Sequence, residues 1–140
     1  GSVMNGFVSG FGFKGKCAIA TTVAHDAHQL IVTGTDEINM AMAVDRLVEI
    51  DGGQVVIKDG EIIGEVSLPI AGLMSNQHAK IVSQNASSVL NGFKKCGCQL
   101  NNPNMQLSLL GLVVIPEIRL SDKGLIDVTN FRFMPVIVEE

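Results

Sequence analysis

The chain has no tryptophan and no tyrosine, and six phenylalanines and three histidines are its only aromatic rings. It is also short of positive charge. Ten Lys and Arg face fourteen Asp and Glu, the net charge is −4, and no basic cluster exceeds Lys94-Lys95. Without a basic stripe or aromatic platforms, the composition argues against a nucleic-acid partner. Long apolar runs are missing as well: the longest candidate, residues 107–116, is about half the roughly 20 residues a membrane helix requires, so no membrane partner is expected. No basic patch leads into an apolar run with a small-residue cleavage site, and the expectation is a cytoplasmic protein. Cysteine is scarce. Cys17, Cys96 and Cys98 cannot all pair within one chain and read as reduced thiols. Cys96-Gly97-Cys98 lacks the second ligand pair of a structural zinc site, and the plainer reading is a helix ending at Gly97.

What is there suffices for one domain. With 140 residues, 46% hydrophobic and 17% charged, the chain can bury a core without staples, but it is too short for a complete (β/α)8 barrel of about 250 residues. Gly1-Ser2 reads as a cloning remnant, and residues 3–140 as a single domain.

Residues 3–16 interleave Gly6, Gly10, Gly12 and Gly15 with Phe7, Phe11 and Phe13, which suits an edge strand or a connector lying on another surface. No GK[ST] follows, so a phosphate cradle is not indicated. Residues 17–24 and 29–33, rich in Ile, Val and Thr, read as strands. Thr35 or Asp36 caps a helix to about Ile50, with Ile38, Ala41, Val44, Leu47 and Val48 as its apolar stripe and Gly52-Gly53 as its stop. Residues 54–58 and 61–67 flank Asp59-Gly60, a strong hairpin signal. Ser75 is the expected N-cap of a second helix to about Lys95, with a stripe of Ala79, Val82, Ala86, Val89, Leu90 and Phe93. Residues 105–115 read first as a buried strand and second as a buried helix. Asp122-Lys123-Gly124 turns the chain, and residues 125–138 supply one or two closing strands. The order β-β-α-β-β-α-β-β predicts an α+β layered domain of mixed or antiparallel sheet with two main helices.

His25 and His28 flank Asp26 directly after a strand, and two imidazoles with a carboxylate suit a metal or a polar substrate. The competing reading is a hydrogen-bonded turn, because the HExxH spacing of a helical zinc site is absent. A self-contained metal site of His25, Asp26 and His28, completed by a cysteine, is a weaker third reading. His78 reads as a solvated residue, Asp36-Glu37 as a helix start and Glu139-Glu140 as an acidic terminus. No serine lies in a GxSxG elbow. The apolar segment Leu68-Pro69-Ile70-Ala71-Gly72-Leu73-Met74 is adhesive if exposed and a core crossing if buried.

Taken together, several stretches resemble the C-terminal domain of bacterial adenine deaminases. They are Gly10-Phe11-Gly12-Phe13, residues 18–28 (AIATTVAHDAH), residues 39–53 (NMAMAVDRLVEIDGG), residues 68–75 (LPIAGLMS), Val114-Ile115-Pro116-Glu117 and residues 121–128. The likeness spans nearly the whole chain. It departs at Thr21 and Thr22, where the family carries serines, and at Ala27, often serine there.

The resemblance implies an amidohydrolase-type parent, in purine salvage, that hydrolyses adenine to hypoxanthine and ammonia. Its binuclear divalent metal, of manganese or iron type, belongs to an upstream barrel whose motifs do not occur here. This chain would then hold no catalytic residue, metal or cofactor of its own and would be inactive alone. It would pack on the barrel of the same polypeptide, in a homo-oligomer, and shape the adenine pocket. His25, Asp26 and His28 are the pocket candidates, and Phe11, Phe13, Leu68, Pro69, Ile70, Leu73 and Met74 the interface candidates. The alternative is a domain-docking or oligomerisation module without substrate contact.

Overall fold

A computed structural model describes residues 2–137. The expectations for Gly1, Val138 and Glu139-Glu140 lie outside them. Strand β1 (Cys17–Thr21) is buried on both faces, which explains why its sequence is uniformly small or apolar. It lies between β2 (Ile31–Gly34) and β3 (Gly53–Lys58), and β4 (Glu61–Ser67) completes an antiparallel sheet of order β2-β1-β3-β4. Strand alternation sorts the side chains between two cores. Ala18, Ala20, Val55 and Ile57 meet Ala43 and Leu47 of helix α1 (Glu37–Glu49). Cys17, Ile19 and Val56 meet Val89 and Phe93 of helix α2 (Ala79–Lys95) together with Leu107 of the short helix α3 (Pro103–Ser108). The sheet is thus the middle of three layers, in the α+β class.

The β3–β4 hairpin turns at Asp59-Gly60, both with positive φ, as the residue pair predicts. Asp36 caps α1, its carboxylate accepting from the Asn39 N–H at 3.1 Å and the Asn39 side-chain amide at 2.7 Å. Asn39 is itself buried, and its Oδ1 accepts from the Gly60 N–H at 3.0 Å. This bond sets the rotation of α1 about its axis and corrects the expected stripe. Asn39, Ala43 and Leu47 face the sheet, while Ile38 and Val48 are 64% and 69% exposed. Helix α2 starts later than expected, at Ala79. Ser75 Oγ accepts instead from the Gln77 N–H in a local turn, and His78 is still extended. Its inward face is Val89, Gly92 and Phe93, with Val82 half-buried and Ala79 and Leu90 exposed. The helix ends as the glycine signal indicated: Gly97 has φ 98°, its N–H reaches the Lys94 carbonyl, and the Cys98 N–H reaches that of Phe93.

Residues 105–115 are not a strand. Pro103 opens α3, whose Leu107 is fully buried, and a 3-10 turn (Leu109–Gly111) follows. The chain then runs irregularly to β5 (Ile118–Ser121), β6 (Gly124–Asp127) and β7 (Arg132–Met134), a separate antiparallel sheet of order β5-β6-β7. Residues 2–16 form no strand. Residues 2–9 instead lie exposed as an arm against this small sheet, with the Ser2 hydroxyl donating to the Asp122 carbonyl at 2.9 Å. Among the described residues no helix is long and apolar enough to cross a membrane.

Candidate functional site

Antiparallel pairing places the C-terminal ends of β1 and β4 and the N-terminal ends of β2 and β3 at one end of the four-stranded sheet. The segment carrying His25, Asp26 and His28 and the segment 68–74 therefore emerge side by side. Local bonds shape the first of them. Thr21 Oγ1 accepts from the Val23 N–H at 3.0 Å and from Gln54 Nε2 at 3.3 Å. Ala24 is buried, and its carbonyl accepts from the His28 N–H at 2.6 Å, closing a tight turn. The turn presents Asp26 and Ala27 to solvent and keeps the two histidines half-buried. Their rings meet edge to face, with centroids 5.4 Å apart. His28 Nδ1 is shielded from solvent and has no hydrogen-bond partner among the described residues. A buried polar atom of that kind favours any ligand group able to pair with it.

Thr22 joins the two segments. Its hydroxyl accepts from the Gly53 N–H at 2.8 Å and donates to the Gly72 carbonyl at 2.6 Å. The Leu68 N–H adds a bond to the Gly52 carbonyl at 2.9 Å. Backbones meet so closely here that a Cβ on Gly52 would lie 2.7 Å from the Gly72 Cα. Segment 68–74 folds back on itself through Ala71 and Gly72, both with positive φ, and the Ile70 and Met74 backbones bond at 3.0 and 3.1 Å. Leu68, Pro69 and Leu73 are half-buried, whereas Ile70 and Met74 are exposed.

The remaining candidates lie elsewhere. Phe11 is only 6% exposed and belongs to this chain's own core, 5.3 Å from Phe13, which in turn packs on Phe93. The Lys14 N–H donates to the Cys96 carbonyl, so this pair sits at the other end of the sheet. Sequence reasoning missed Gln29, whose Nε2 donates to the Leu120 carbonyl at 3.3 Å and couples the histidine turn to β5. Its only signal was a polar residue directly following the cluster.

The description "Adenine deaminase C-terminal domain" belongs to the family model that matches residues 1–132. The chain belongs to that adenine deaminase family. It is 56% identical over 138 residues to adenine deaminase 3 of Rhizobium meliloti (strain 1021) and 55% identical over 137 residues to the adenine deaminase of Ruegeria sp. (strain TM1040). A more distant relative, the adenine deaminase of Clostridium botulinum (strain ATCC 19397 / Type A), is 44% identical over all 140 residues. In each case the match takes in 98–100% of this chain but 23% of the relative's length. The chain thus corresponds to the C-terminal domain of a longer adenine deaminase.

The binuclear divalent metal implied by the resemblance was expected in an upstream barrel and not on the residues of this domain. Among those described, no three His, Cys, Asp or Glu side chains gather into a set able to hold an ion. The reading of His25, Asp26 and His28 as a metal centre completed by a cysteine also fails on distance. Cys17 and Cys96 lie a strand length away, at the far end of β1.

Proposed function

We propose that this domain serves an adenine deaminase of the amidohydrolase kind by forming one wall of its substrate pocket. Water adds at C6 of adenine and the exocyclic nitrogen leaves as ammonia, giving hypoxanthine. That chemistry resides in the barrel of the same polypeptide, and the 140 residues alone do not turn over. The histidine turn supplies hydrogen-bonding edges to the purine nitrogens, Asp26 accepts from an N–H beside them, and the apolar segment 68–74 excludes water. The observation that carries this reading is the shielded Nδ1 of His28, without a partner among the described residues, in a turn braced by Thr22 and Gln29 at the end of the sheet. Three free, buried cysteines support a reducing, cytoplasmic setting.

Replacing His25 and His28 by Asn in the full-length enzyme tests the assignment. Loss of one paired hydrogen bond to substrate should lower kcat/KM for adenine by about 10- to 100-fold while assembly and metal content are unchanged. Normal kinetics with failed assembly would instead identify a docking or oligomerisation module without substrate contact. Turnover of adenine by the isolated chain would overturn the division of labour.

A further inference from the structure

The small sheet has two unequal faces. Register places Leu120, Leu125 and Met134 on one of them, and Arg119, Ile126 and Phe133 on the other. The N-terminal arm covers the first: a Cβ on Gly6 would lie 3.2 Å from Leu125 Cδ2 and 3.8 Å from Leu120 Cδ1. On the second, Val113, Ile126, Phe131, Arg132 and Phe133 line a groove of about 230 Å3. Phe131 and Phe133 are 90% and 62% exposed there. The turn that displays Phe131 is held firmly, since the Asp127 carboxylate accepts from the Asn130 N–H at 3.1 Å, the Asn130 side chain at 2.8 Å and Arg132 Nε at 3.2 Å. Exposed aromatic side chains grouped beside other apolar residues mark an interaction surface.

We propose that this second face is where the preceding part of the same polypeptide seats. The inference rests on the reading of the chain as the terminal domain of a longer enzyme, and it names a contact surface distinct from segment 68–74. The occupant follows from connectivity. Curated relatives are matched over 23% of their length, under a family described as C-terminal, so the remainder joins through the N-terminal arm. That arm lies on the same small sheet, which places the entering chain and the uncovered groove on one lobe. Gln29 then links β5 to the histidine turn at 3.3 Å, so seating on this lobe also fixes His25 and His28 at the rim of the joint.

Hydrogen exchange of residues 113–134 should be compared between the isolated chain and the full-length polypeptide, with Phe131→Asp and Phe133→Asp in both. Their exposure means that the isolated variants should melt with the parent. In the full-length protein the segment should exchange about tenfold more slowly, and both variants should abolish that difference and lower kcat/KM. Equal exchange in the two contexts, or protection of the outer face of α1 around Ile38 and Val48 instead, would overturn the proposal. So would dimerisation of the isolated chain that Phe131→Asp removes, together with protection of the full-length protein only when it too is dimeric, since the occupant would then be a second copy. A rate defect in the His25 and His28 variants without protection of 113–134 would leave the pocket reading standing and discard this surface. Protection with normal rates in those variants would do the reverse.

Discussion

Replacing Thr22 by Val removes the one hydroxyl that ties segment 68–74 to the sheet. In the parent it accepts from the Gly53 N–H at 2.8 Å and donates to the Gly72 carbonyl at 2.6 Å. Gly53 is buried, so its N–H is left without a partner, at about 1–3 kcal/mol. The Gly72 carbonyl loses its bond to the hydroxyl, at about 1 kcal/mol. A methyl group in the hydroxyl position would also press on both backbones, so relief by collapse is closed off. The expected loss is about 2–4 kcal/mol. An unfolding entropy of about 2.1 cal/mol/K per residue over 140 residues converts this to a fall in Tm of about 7–14 °C. Circular dichroism melts of the isolated chain measure it. Thr22→Ser keeps the hydroxyl and removes one methyl, and should cost about 1 kcal/mol or less. Limited proteolysis supplies a second readout: cleavage within 68–74 should accelerate in the Val variant only. Coincident melts for Thr22→Val and Thr22→Ser would refute the account of this joint.

Burial, reinforced by the neighbouring Cys17, pushes the Cys96 thiol up to about 12 from an ordinary 9.0. Its neutral form is therefore favoured in the folded state. The associated stability should be complete below about pH 9 and decline as pH rises toward 12, read as a falling urea midpoint that Cys96→Ala lacks. Asp36 behaves in the opposite sense, because hydrogen bonds from Asn39 hold its carboxyl below the ordinary 3.8. Its stabilisation should be present at neutral pH and be lost as pH falls through the lowered folded value, so the gap in Tm between parent and Asp36→Ala should close on acidification.

Features fixed by local stereochemistry were the legible ones. Asp59-Gly60, Asp36 and Gly97 each act through a backbone requirement that neighbouring residues cannot change. Helix phase was harder to read. Helix α1 carries apolar residues on nearly every side, and a buried amide at Asn39, not hydrophobic periodicity, decides which side faces the sheet. Residues 105–115 misled for a related reason. Only Leu107, Ser108 and Gly111 are buried there, while Val113, Val114 and Ile115 stay on the surface. Apolar residues that serve a contact outside the chain carry the same signal as core. The histidine cluster was singled out from its composition. Its relation to 68–74 was not, because the two segments are some forty residues apart and only strand pairing brings them together.

Where Gly52 meets Gly72, two main chains touch with no room for a side chain between them. Substitution there has no small step available, so sequence change around the histidine turn would leave that seam alone. Adaptation is channelled outward to Ala27, Ile70 and Met74, whose exposed side chains can change size or polarity without disturbing the scaffold beneath. The joint thus separates what must stay constant from what is free to diversify.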